Sequence, residues 1–280
     1  MHPVYLHIKK ELSPFYAEGE ASAMAKWISS DILHLSTMEL YTGKDMNFSM
    51  KAWKEVEDIL ARLKQREPLQ YILQEAHFCG LSFHVEKGVL IPRPETEELV
   101  EWIVSDCQKA GKVRILDIGT GSGCIPVTLA ERLPEAEVAS CDISAEALRV
   151  AAANVKRYGD KVTLFQADIL QDELPDCQVD VLVSNPPYIT DSERKDMEAN
   201  VLDWEPELAL FVPDTDPLRF YRRIAQKGLD WLTEGGALYF EINRAYGAET
   251  VRMLEECGYR DIALRKDLSG NDRMIKAVRP

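Results

Sequence analysis

The sequence predicts an α/β protein: a Rossmann-like, doubly wound parallel sheet preceded by a small helical bundle, with a β-hairpin between the two. Three observations carry this expectation. From residue 113 onward, short apolar runs alternate with stretches of helical spacing, and strand, helix, strand in regular succession means a parallel sheet. Residues 1–75 show helical spacing with few glycines, which reads as packed helices. Between them FCGLSFHVEKGVLI, residues 78–91, alternates around Gly80 and Gly88, as a short hairpin does.

In the first domain, residues 1–75, AMAKWISSDILHL and WKEVEDILARLKQ have helical periodicity, and Val56, Ile59, Leu60 and Leu63 share one stripe opposite charged residues. Residues 76–94 form the hairpin linker, and residues 95–280 form the second domain. There a helix begins at Glu95. Strands are expected over 113–118, 136–143, 161–168, 179–185 and 236–242, with helices near 123–133, 144–158, 191–200 and 217–232. The final stretch, GYRDIALRKDLSGNDRMIKAVRP, adds a closing hairpin around Ser269-Gly270-Asn271-Asp272.

Composition narrows the function classes. With 46% hydrophobic and 29% charged residues, the chain has no apolar run near the ~20 residues that span a membrane. Its start, MHPVYLHIKKELSPFY, has no basic segment followed by an apolar one and a cleavage site, so a cytoplasmic protein without a membrane partner is expected. The six cysteines, at 79, 107, 124, 141, 177 and 257, include no C-x-x-C pair; free thiols and no metal are expected. The net charge of −14, concentrated beyond residue 75, disfavours nucleic acid as a direct partner. All five histidines precede residue 85, so chemistry in the second domain proceeds without a histidine base. No surplus apolar stripe asks for a dimer, and a monomer is expected.

The stretch ILDIGTGSG, residues 115–123, places a glycine-rich turn between the first strand of the sheet and its helix. Such a turn brings backbone close to a ligand and aims free N–H groups at it. Gly119, Gly121 and Gly123, with Thr120 and Ser122 between them, form G-x-G-x-G, whereas the dinucleotide fingerprint has its third glycine one residue later, where Cys124 stands. Asp117 precedes the turn and would repel a pyrophosphate but welcome a cation. Asp142 ends the second strand, suited to the two hydroxyls of a ribose. Asp168 ends the third, suited to accept from an adenine amino group, with Ile169 alongside. A ribose, an adenine and a positive centre without phosphate describe S-adenosyl-L-methionine. A dehydrogenase is disfavoured by the glycine spacing and by Asp117.

After the fourth strand comes SNPPYIT, residues 184–190, in which two prolines remove two donors and fix two φ angles. Here the chain resembles the methyltransferases with an (N/D)PP(Y/F) motif, which act on planar amino nitrogens. It is more specifically similar to the HemK/PrmC family, the protein-(glutamine) methyltransferases of peptide chain release factors. The likeness runs through EPLQYIL (67–73), the hairpin with IPRPETEELVE (91–101), the glycine turn, SNPPYI, WEPELAL (204–210) and KDLSGNDR (266–273). It implies a class I S-adenosylmethionine-dependent methyltransferase sheet, a helical substrate-recognition domain over 1–75, and class 1 release factors as partners, methylated at the glutamine of their Gly-Gly-Gln motif. Asn185, Pro186, Pro187 and Tyr188 are the expected catalytic and substrate-binding residues, with Asn185 also beside the cofactor. The Asn185 side-chain carbonyl and the Pro186 backbone carbonyl would each accept one N–H of the substrate amide, and Tyr188 would lie against it and exclude water. The resemblance also puts Arg93, with Glu95 or Glu97, in support of the substrate loop, while Thr96 and Glu97 read as ordinary helix-start residues.

Two places depart from the family pattern. Glu241-Ile242-Asn243 has no glutamine shortly after the fifth strand, and FVPDTDPL, 211–218, replaces a glycine-rich turn. Both are expected to alter loop shape without touching the residues of methyl transfer. Two rival readings are a nucleic-acid adenine amino-methyltransferase, which faces the same conjugated NH₂, and a non-catalytic S-adenosylmethionine-binding protein, which has no use for two aimed acceptors.

Overall fold

The computed structural model describes residues 1–43, 48–171 and 178–280; Cys177 lies outside the described residues. The chain divides into two units, Met1–Leu73 with Ala199–Trp204, and Gln74–Glu198 with Glu205–Pro280.

In the first unit, helices α1 (Pro3–Leu12), α2 (Glu18–Asp31), α3 (Thr37–Thr42), α4 (Met50–Leu63) and α5 (Leu69–Leu73) pack around Ile8, Leu12, Ala25, Ile28, Val56 and Leu60. Their starts are chemically marked. Pro3 opens α1, Ser49 caps α4 through the Ala52 N–H, and Ser36 with Glu39 forms a reciprocal capping box on α3. The expected stripe of Val56, Ile59, Leu60 and Leu63 is buried in this core.

The second unit begins with the hairpin β1 (Glu75–Phe78) and β2 (Leu81–His84), which turns at Cys79-Gly80. Then come α6 (Pro94–Cys107), β3 (Arg114–Ile118), α7 (Cys124–Arg132), β4 (Glu137–Asp142), α8 (Ala145–Arg157), β5 (Val162–Gln166) and β6 (Val179–Ser184). After β6 follow a two-residue strand β7 (Ile189–Thr190), helix α9 (Ala199–Trp204) of the first unit, and β8 (Phe211–Val212), which pairs with β7. The chain ends with α10 (Arg219–Trp231), β9 (Leu232–Glu241), α11 (Gly247–Cys257), β10 (Arg260–Lys266) and β11 (Asp272–Val278). The main sheet has the order β10-β11-β9-β6-β3-β4-β5; the last five run parallel, and the closing hairpin joins antiparallel at one edge.

Successive residues of the central strands supply two cores. Ile115, Val181 and Val183 pack with α6 and α7, while Leu116 and Leu182 pack with α10 and α11. This two-sided burial is why the strands read as continuous apolar runs rather than alternations. Strand order reverses between β3 and β6, so the turns leaving these two strands flank a crevice, the usual ligand position in open α/β sheets.

Two expectations need correction. The helix over 191–200 is instead a 3-10 turn, Asp191–Asp196, started by a Thr190–Glu193 capping box and ended by extended backbone at Met197 (φ −88°, ψ 152°), with α9 beyond it. Helix α11 was not anticipated, although Thr250, Met253 and Leu254 bury one face and Gly258 closes it at φ 98°. Among the described residues, no helix is long and apolar enough to cross a membrane.

Candidate active site

The glycine turn takes its shape from backbone that other residues could not adopt cheaply. Gly119, Gly121 and Gly123 have φ of 89°, 54° and 84°, in the region that glycine enters without penalty. The Gly119 and Thr120 N–H groups both donate to the Cys141 carbonyl at 2.8 and 3.1 Å, and Gly123 N–H donates to the Thr120 carbonyl at 2.8 Å. A Cβ at Gly123 would meet the Ala151 Cβ of α8 at 3.3 Å, so the third glycine also permits close helix packing. Behind the turn, buried Asn154 of α8 donates to the Ser122 and His84 carbonyls at 2.8 and 2.9 Å, joining turn to hairpin.

The three aspartates do different things. Asp142 lines the crevice; its Oδ2 accepts from Gly121 N–H and its Oδ1 from Ser144 N–H, each at 2.9 Å. Burial pushes its carboxyl up, against the pull of these backbone donors. Asp168 also lines the crevice, with Ile169, and accepts from Leu170 N–H at 2.9 Å. Asp117 is not among the lining residues. It is 0% exposed, and its Oδ2 accepts from the Ser140 hydroxyl at 2.5 Å, while Ser140 pairs with Thr120 Oγ1 at 2.6 Å. Burial above all, with a contribution from nearby Asp142, pushes the Asp117 carboxyl up to about 7, against the Ser140 hydrogen bond.

The wall across from the glycine turn is built by Asn185-Pro186-Pro187 after β6. All three residues line the crevice, a cavity of about 560 Å³, along with Gly119, Thr120, Gly121 and Ser122. A Cβ at Gly119 would stand 3.9 Å from the Asn185 carbonyl oxygen, in the gap between the two walls. Asn185 Nδ2 donates to Thr96 Oγ1 at 3.2 Å, and Thr96 donates to Glu241 Oε2 at 2.5 Å. Tyr188 does not line the cavity. Its hydroxyl donates to the other Glu241 oxygen at 3.1 Å, and its ring packs against the core beneath the sheet. Burial pushes Glu241 up; the Thr96 hydroxyl, the Arg273 guanidinium and the Tyr188 hydroxyl pull it back.

Arg93 lines the cavity and is paired with buried Glu205, whose second oxygen accepts from Ile91 N–H at 3.2 Å. Neither Glu95 nor Glu97 lines the cavity; the acid that pairs with Arg93 comes from WEPELAL.

Sequence reasoning treated Thr96 as a helix-start residue, but its hydroxyl caps nothing on α6 and serves Asn185 and Glu241 instead. The available signal was Glu241 itself, a lone acid inside the apolar run GALYFEI. The expectation about the two departures is corrected. Asn243 Nδ2 donates to the Tyr188 carbonyl at 3.0 Å, so the first departure reaches the motif; in the second, Phe211 lines the cavity and pairs in register with Ile189, one residue past the motif.

Residues 6–73 match the family model of the PrmC N-terminal domain, and residues 96–203 that of the methyltransferase small domain. A release factor glutamine methyltransferase of Bacteroides thetaiotaomicron is 49% identical over 280 residues, covering 100% of both chains. One of Flavobacterium psychrophilum is 43% identical over 95% of this chain and 94% of its own. Among solved structures, a methyltransferase from Pyrococcus furiosus superposes with a TM-score of 0.52 at 16% identity, over 80% of this chain and 98% of that one; this likeness concerns the fold alone.

Proposed function

We propose, from the premise that this chain belongs to the family of release factor glutamine methyltransferases, that it methylates the side-chain amide nitrogen of the glutamine in the Gly-Gly-Gln motif of class 1 release factors. It is a methyltransferase, and S-adenosylmethionine is its methyl donor. The donor set suits that cofactor. Acids at the ends of β4 and β5 line the cavity as acceptors for hydroxyl and amino groups, and the glycine turn leaves room that a side chain at Gly119 would fill. The cavity volume of about 560 Å³ falls within the roughly 300–1,000 Å³ of small-molecule sites. Asp142 would hold the ribose, Asp168 and Ile169 the adenine, and Thr120 to Ser122 the cofactor's remaining edge. When bound, the cofactor supplies an electrophilic sulfonium methyl group.

The observation that carries the substrate reading is Asn185-Pro186-Pro187 facing the glycine turn across one cavity. An amide nitrogen shares its lone pair with its carbonyl and is a poor nucleophile. Asn185 Oδ1 and the Pro186 carbonyl oxygen accept its two N–H groups, draw density onto nitrogen and fix its direction of attack. A nitrogen that has received the methyl would be acidic and would lose its proton to solvent, so no strong base on this chain is needed beforehand. Two acceptors reject a glutamate carboxylate, which has no hydrogen to give them; such mismatched polar sites discriminate by roughly 10⁴ or more. The chain's charge of −14 suits a basic, ribosome-binding partner in the cytoplasm better than a nucleic acid.

The test is incubation with labelled S-adenosylmethionine and a release factor, alongside the same factor carrying Gln→Ala in its Gly-Gly-Gln loop. Label is expected in the first protein and not in the second. Label in DNA or RNA instead would overturn this reading in favour of an adenine methyltransferase.

A further inference from the structure

Asn185 owes its orientation to two residues far away in sequence. Thr96 stands in the first turn of α6 and is 2% exposed. Its hydroxyl has a single hydrogen, and that hydrogen goes to Glu241 Oε2 at 2.5 Å. Only lone pairs then remain to face Asn185, 3.2 Å away. A side-chain amide offers donors on one side and an acceptor on the other, and an oxygen set against those lone pairs would be repelled. The NH₂ group must therefore turn to Thr96, which leaves Asn185 Oδ1 on the opposite side of the amide, in a residue that, like Thr96, lines the cavity. The two ends of a side-chain amide are nearly alike in shape; the hydrogen-bond chain decides between them here.

Glu241 anchors this chain. It is 1% exposed at the end of β9, and its second oxygen takes the Tyr188 hydroxyl at 3.1 Å. One buried carboxylate thus holds both ends of Asn185-Pro186-Pro187-Tyr188. Arg273, held at 3.2 Å by Asp267 across the closing hairpin, supplies favourable positive charge to Glu241.

We infer that Thr96 and Glu241 are positioning residues for methyl transfer: the carboxylate commits the Thr96 hydroxyl as a donor, and the committed hydroxyl forces the Asn185 carbonyl toward the substrate amide. This deepens the reading given under Proposed function and rests on it for its activity arm alone.

The test compares wild type, Thr96→Val and Thr96→Ser in the full-length chain. Two readouts are needed: kcat and KM toward a release factor at saturating S-adenosylmethionine, and hydrogen exchange of the Asn185 side-chain amide in ¹⁵N-asparagine-labelled protein without substrate. Thr96→Val is expected to lower kcat by about 10- to 100-fold, below the full loss of an acceptor, while the cofactor Kd stays unchanged. It should also remove the slow exchange of the Asn185 NH₂. Thr96→Ser, which keeps the hydroxyl, should restore both. If Thr96→Val does not fold, Thr96→Ala, which leaves space for water beside Glu241, carries the same comparison. Wild-type kcat in the hydroxyl-free variant, equal impairment of Ser and Val, or an Asn185 NH₂ equally protected without the hydroxyl would each overturn the inference. Absence of transfer by wild type would sink the proposed substrate instead, and amide exchange would still decide the role of Thr96.

Discussion

The two walls of the cavity are made in different ways. The glycine-turn wall is backbone: three glycines at positive φ, amides tied to the Cys141 carbonyl, and Asp142 tied to Gly121 and Ser144. Its parts lie between residues 117 and 144, within one strand-helix-strand unit. The Asn185 wall, apart from the Pro186 carbonyl, depends on side chains, and it draws Thr96 from α6, Glu241 from β9 and Asn243 from the turn beyond. The first wall cradles a ligand by shape, and shape is robust to most single side-chain changes. The second aims single atoms, and each aimed atom depends on partners that could fail separately.

This contrast makes removal of an aimed atom the largest expected effect. Asn185→Ala should lower single-turnover transfer by about 10²- to 10³-fold, as loss of one preorganised hydrogen-bonding group does elsewhere, while calorimetry finds S-adenosylmethionine binding nearly intact. Equal losses in both would erase the division between the walls.

Asp117 sharpens the comparison from the other side, because it supports the cradle without lining it. Its folded carboxyl is raised to about 7, against about 3.9 in an unfolded chain. A raised acid resists ionisation in the folded state, so it costs no stability below pH 4, and the cost grows as pH rises toward 7. Asp117→Asn should therefore show an unfolding free energy that gains on wild type between pH 4 and 7, by several kcal/mol at the upper end. A pH-independent difference would mean that Asp117 is not held in this way.

The smallest effect belongs to Asp142→Ala. Loss of charge-assisted hydrogen bonds worth about 1.5–3 kcal/mol should weaken cofactor binding by roughly 10- to 100-fold. With saturating cofactor, kcat should recover to near the wild-type value. A kcat that stays low at saturation would assign Asp142 to the aiming of atoms after all.

What was legible in the sequence follows the same division. Asp142, Asp168 and the glycine turn could be read because each is a local pattern of strand, turn and helix; the burial of Asp117 behind the turn could not. Asn185-Pro186-Pro187 was readable as a rigid exit from β6. Its supports were not, because nothing in local spacing says that Thr96 will meet Asn185 or that Glu205, rather than Glu95 or Glu97, will meet Arg93. These pairings exist only after the sheet has brought α6, β6 and β9 together. Helix α11 is faint in the sequence for a simpler reason: the strand before it and the hairpin after it carry stronger patterns than its one amphipathic face.

The short ladder between β7 and β8 has a consequence for how such a protein can vary. It fastens Ile189–Thr190 to Phe211–Val212, so residues 191–210 leave and rejoin the Asn185 wall at one closed point. For such a loop the entropy of closure grows only with the logarithm of length, and doubling it costs about 0.6 kcal/mol. Between the end of the 3-10 turn at Asp196 and the start of α9 at Ala199, insertions should therefore cost little folding stability. The chain can lengthen or reshape that stretch while the atoms that meet the substrate amide keep their places.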